Sequence, residues 1–144
     1  MGFNYTLTEP DLMPFYRRAI KQGLRVLQYN GDADPGINVF VSENWTSALG
    51  FDELQPWRPW TTDGKRRMGG YVTRYVGGFD FLTIRGSGHM VPQFKPAAAL
   101  EFITRWLRGE DYQAYDPNPE PKPEPKPKRQ LRGEDYQAYG RTST

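Results

Sequence analysis

The stretch Arg85-Gly86-Ser87-Gly88-His89-Met90-Val91-Pro92-Gln93-Phe94-Lys95-Pro96 constrains this chain more than any other. It carries the only histidine of the 144 residues, with glycines on one side and two prolines on the other. Before it, Phe79-Asp80-Phe81-Leu82-Thr83-Ile84 is apolar or β-branched almost throughout and reads as a strand. After it, Ala97 to Leu107 has the pattern of a helix. The histidine is therefore expected on a loop between the C-terminal end of a strand and a helix. In open α/β sheets, ligands and catalytic groups collect at that edge. Gly86 and Gly88 permit tight turns and keep bulk away from the imidazole. Pro92 and Pro96 stiffen the exit and prepare a helix start. A lone histidine is more often a surface or core residue, but this rigid setting favours chemistry.

The preceding chain supplies a matching unit. Asp11-Leu12-Met13-Pro14 reads as a helix entry, with Phe15, Ala19 and Ile20 on an apolar face and Gly23 as its end. Leu24 to Tyr29 follows as a short apolar strand of the buried, parallel kind. It stops at Asn30-Gly31-Asp32-Ala33-Asp34-Pro35-Gly36, a turn rich in carboxylates. A second helix is predicted from about Ile37 to Leu49, with Val41, Trp45, Ala48 and Leu49 on one side. Helix, strand, acidic turn and helix make one unit of a parallel α/β sheet. Pro56-Trp57-Arg58-Pro59-Trp60 breaks any helix between 51 and 62, and both tryptophans are expected to pack in the core or its cover. Lys65-Arg66-Arg67 is expected at a solvated hairpin tip. Gly70 to Val76 and Phe79 to Ile84 are expected to pair across Gly77-Gly78.

Beyond Tyr115 proline recurs at every second position from Pro117 to Pro127. That composition gives an extended spacer, not part of a core. Its flanks, Leu107 to Tyr115 and Leu131 to Tyr139, are the same nine residues and read as a local duplication. The expected organisation is a domain portion over 1–115, a Pro-rich linker over 116–130 and a disordered tail over 131–144. The formal net charge of +2 points to neither nucleic acid nor an anionic membrane. No cysteine is present, which excludes disulfides and thiolate sites, and with one histidine a zinc site is not expected. No run approaches the length of a membrane-crossing helix.

In a parallel sheet the acidic turn and the histidine loop open on the same edge. A carboxylate holding one imidazole nitrogen there leaves the other free to move a proton. No Gly-x-Ser-x-Gly elbow occurs to supply a nucleophile, and in hydrolases of this fold the serine precedes the acid and the histidine. The order suggests a chain that lacks an N-terminal part of its domain.

Gly31-Asp32-Ala33-Asp34 with Asn38, then Gly86-Ser87-Gly88-His89-Met90-Val91-Pro92 with Pro96, resembles the serine carboxypeptidases. The resemblance runs from about Asp11 to Trp106. It implies the C-terminal part of an α/β-hydrolase fold, with Asp34 as the triad acid, His89 as the catalytic histidine and Met90 beside the pocket for the leaving residue. It also implies a peptide C-terminus as substrate, no cofactor, and a lysosomal, vacuolar or extracellular location. The isolated chain is expected to be inactive. Two departures stand out: Ile37 where relatives often have cysteine, and Pro35-Gly36 just after the acid. A non-catalytic fragment and another α/β hydrolase, such as an esterase, stay open as alternatives. Asp32 reads as a turn residue that caps backbone donors. Asn4-Tyr5-Thr6 and Asn44-Trp45-Thr46 fit the glycosylation pattern.

Overall fold

Proline at a first helical turn, with a carboxylate just ahead of it, fixes where the first helix begins. In the computed structural model, which describes residues 6, 8, 11–64 and 66–118, Asp11 accepts the Met13 amide at 2.9 Å and Pro14 opens α1, Met13–Lys21. The inward face of α1 is Met13, Tyr16 and Ile20, spaced by three and four as a helix requires. Phe15, expected on that face, is exposed because it stands one position off the stripe. Leu24 is exposed too, and β1 starts later than expected, as Val26–Gly31.

Asn38 caps α2, Val39–Ala48, by accepting the Phe40 amide at 2.8 Å. Of the expected apolar face, Trp45 and Leu49 pack inward and the other two residues do not. Val41 and Ala48 are exposed, while Ser42, Thr46 and Leu49 are buried beside Val39 and Trp45. Burial of Thr46 is tolerated because its hydroxyl donates to the Glu43 carbonyl at 2.9 Å.

The segment whose prolines are expected to break any helix is a strand, β2, Glu53–Thr61. It pairs antiparallel with β3, Met68–Tyr75, through a register that shifts three times. Pro56 and Pro59 fit because β2 is an edge strand with bulges, where missing amide donors interrupt little. Trp60 is fully buried and donates to the Thr83 carbonyl at 3.1 Å. Trp57 instead stacks on Tyr71 at 5.1 Å, covering Phe81. The exposed Arg66 and Arg67 lie in the β2–β3 connection, as a hairpin tip should.

β3 turns at Gly77-Gly78 into β4, Phe79–Ile84, and β4 pairs parallel with β1. The sheet order is β1-β4-β3-β2, so it is mixed: the parallel arrangement expected from the sequence holds for β1 and β4 alone. Every residue of β4 is buried. Phe79 and Phe81 meet α1 and α2 on one face. Leu82 and Ile84 meet Ala98, Ala99 and Phe102 of α4, Pro96–Arg108, on the other. A one-turn helix, α3 (Val91–Phe94), leads into α4. The tail segment 131–144, most of the linker 116–130 and Asn4 lie outside the described residues.

Candidate active site

β1 and β4 are parallel neighbours and end in register, Gly31 opposite Ile84, so the loops that leave them start side by side. Backbone hydrogen bonds join the two loops. The Asp32 amide donates to Ile84 O at 3.1 Å and the Ala33 amide to Ser87 O at 3.0 Å. In return, the Gly86 amide donates to Asp32 Oδ1 at 2.6 Å. Asp32 is thus a structural residue, as expected, although the donor it satisfies belongs to the opposite loop. Gly31 makes the close approach possible: a Cβ there would fall 2.2 Å from Ser87 O and 2.4 Å from Gly88 O. The sequence marks Gly31 as a bend, and only the tertiary structure reveals this second reason for it.

The approach places Asp34 against His89. His89 Nδ1 lies 2.8 Å from Asp34 Oδ2, and Asp34 Oδ1 accepts the Gly36 amide at 2.8 Å. The hydrogen bond with His89 holds the Asp34 carboxyl below its ordinary range, and the Gly36 amide adds to this against the opposing effect of burial. An ionised carboxylate can only accept, so it fixes the proton on Nδ1 and leaves Nε2 as the proton-accepting nitrogen. The aspartate side chain is 5% exposed while the histidine side chain is 68% exposed, so the anion is shielded and the ring faces outward. The Gly36 amide, just after Pro35, is thus one of the donors that hold the carboxylate.

Met90 follows at the N-terminal end of α3 and is exposed. It neighbours the pair along the chain, and its carbonyl accepts the Gln93 and Phe94 amides. Ser87 is fully buried, with its hydroxyl on the Gly88 carbonyl, which does not suit a nucleophile. Among the described residues, no group of three or more His, Cys, Asp or Glu could hold a metal ion.

Residues 2–109 match the serine carboxypeptidase family. The chain belongs to that family. It is 39% identical over 99 residues to serine carboxypeptidase 1 of Hordeum vulgare, covering 69% of this chain and 19% of the relative. It is 38% identical over 107 residues to serine carboxypeptidase-like 33 of Arabidopsis thaliana, covering 74% and 22%. Similarity to serine carboxypeptidase ctsa-4.1 of Caenorhabditis elegans is 31% over 118 residues, covering 78% and 25%. The chain therefore spans about a fifth to a quarter of the curated relatives' length. Its mixed sheet with helices on both faces is consistent with part of an α/β-hydrolase fold.

Gly31→Ala is expected to push the two loops apart, because the contacts are backbone oxygens that cannot swing away. Displacing a catalytic group by about 1 Å costs on the order of 100-fold in turnover. Steady-state rates of the complete protein with and without the substitution check this. An unchanged rate would show that the approach is not needed.

Proposed function

We propose that this chain supplies the acid and base members of a serine carboxypeptidase active site, and that the nucleophilic serine comes from a part of the domain outside these 144 residues. The observation that carries the reading is the 2.8 Å contact between His89 Nδ1 and Asp34 Oδ2 at the shared end of β1 and β4. His89 Nε2 takes the proton from the serine hydroxyl as its oxygen attacks the carbonyl of the last peptide bond. The C–N bond then breaks and the same proton passes to the departing amino acid. Water attacks the acyl-enzyme by the same route and restores the serine. Asp34 holds the imidazole tautomer and stabilises the imidazolium. Met90 borders the space for the leaving residue. The rest of the domain is proposed to cover β1, whose outer edge has no strand partner among the described residues, and the exposed Phe40 and Val41.

The test is serine-directed. A fluorophosphonate is expected to label the complete protein and to leave the 144-residue chain unlabelled. Labelling of the isolated chain that one of its own serines abolishes would overturn the assignment. Hydrolysis of a simple ester with no release of C-terminal amino acids would point to an esterase instead.

A secretory route is also proposed, in keeping with the exposed Asn44 of the Asn44-Trp45-Thr46 sequence. Expression in secretory eukaryotic cells is expected to give a glycosidase-sensitive mass shift that Asn44→Gln removes. A shift unaltered by that substitution would contradict use of Asn44.

A further inference from the structure

Just past the family match, residues 110–115 run along the edge of β2. Gly109, in the left-handed conformation at φ 71°, turns the chain out of α4. The Thr61 amide donates to Gln113 O at 2.9 Å, the Tyr115 amide to Pro59 O at 3.2 Å, and Ala114 bridges Trp60. Arg58 and Arg74 reach Asp111 Oδ1 at 2.8 and 3.1 Å, and Gln55 donates to Oδ2 at 2.9 Å. Tyr112 is 2% exposed and its hydroxyl donates to Asp80 Oδ2 at 3.1 Å. Burial and the nearby Asp80 charge keep that hydroxyl protonated far above its ordinary range. The result is a socket on β2, β3 and β4 that takes the segment Asp-Tyr-Gln-Ala-Tyr, gripping the side chains of Asp111 and Tyr112 and the backbone of residues 113–115.

The chain carries that sequence twice. Asp135-Tyr136-Gln137-Ala138-Tyr139 repeats Asp111 to Tyr115 without a change. The first copy has an advantage through its attachment: the Glu110 amide donates to Arg105 O, and Arg105 Nη1 donates to Asp111 O. The second is joined to the first by residues 116–134 of the same chain, which makes its docking an intramolecular event. We infer that the second copy is a reserve clasp: the socket belongs to residues 111–115 in the intact chain and accepts residues 135–139 of the same chain once the first copy is disabled.

The experiment uses the full chain in four forms: unaltered, Tyr112→Ala, Tyr136→Ala and both. Tyr136→Ala, or truncation after Asp116, is expected to leave the melting temperature of the unaltered chain in place. In the Tyr112→Ala background, Tyr136→Ala is expected to lower it by about 4 °C or more. Asp111→Ala with and without Asp135→Ala repeats the comparison without emptying the core, so a misfolded tyrosine variant cannot hide the answer. A synthetic Leu131–Tyr139 peptide is expected to restore part of the loss in the doubly altered chain. Equal melting temperatures with and without the second-copy substitution, in both backgrounds, would overturn the inference. Protection that rises with protein concentration, together with dimers in solution, would also overturn it by making another copy of the chain the donor.

Discussion

His89→Ala in the complete protein is expected to lower the release of C-terminal amino acids from a blocked dipeptide by about 10⁶-fold. In the proposed mechanism the imidazole takes a proton from the attacking hydroxyl and returns it to the leaving amine. Its side chain is 68% exposed and lies on a loop that other contacts hold, so its removal should leave the fold intact. The melting temperature should therefore stay close to that of the unaltered protein. A rate within tenfold of the unaltered protein would mean that some other group performs the proton transfers.

Asp34→Asn is expected to cost about 10⁴-fold in turnover. The amide can present a donor to His89, which favours the tautomer with Nδ1 bare and the proton on Nε2, the wrong nitrogen for a base. The Gly36 amide lies 2.8 Å from the present carboxylate oxygen Oδ1, and an amide oxygen at that position can still accept from it, so the turn should persist. The defect should appear in kcat, since the substitution alters proton transfer without removing a group that binds the peptide.

Much of this arrangement was legible in the sequence. The β4 strand, the histidine loop and α4 were readable because a continuous apolar run, two glycines and two prolines mark their limits without reference to the rest of the chain. The helix faces were less so. Phe15 and Val41 look like core residues, yet the stripes that pack inward are Met13-Tyr16-Ile20 and Val39-Ser42-Thr46-Leu49. Hydropathy alone gives no reason to bury Ser42 and Thr46. β2 was hidden because Pro56 and Pro59 argue against a strand unless it is known to lie at a bulged edge. Asp34 and Asp32 differ through contacts made 55 and 54 residues away, with His89 and with the Gly86 amide. The Asp111–Tyr112 clasp was likewise not readable, because its partners lie on three different strands.

The measurement that bears most directly on the central assignment compares Asp34→Asn with Asp32→Asn in the complete protein, scoring turnover and melting temperature for each. Asp34→Asn should lose turnover by three to four orders of magnitude, roughly, at nearly unchanged stability. Asp32→Asn weakens a hydrogen bond that joins the two loops and should act mainly on stability, by about 1 kcal/mol. The reverse pattern, with catalysis lost at unchanged stability in Asp32→Asn and retained in Asp34→Asn, would contradict the pairing of Asp34 with His89 as the working acid and base.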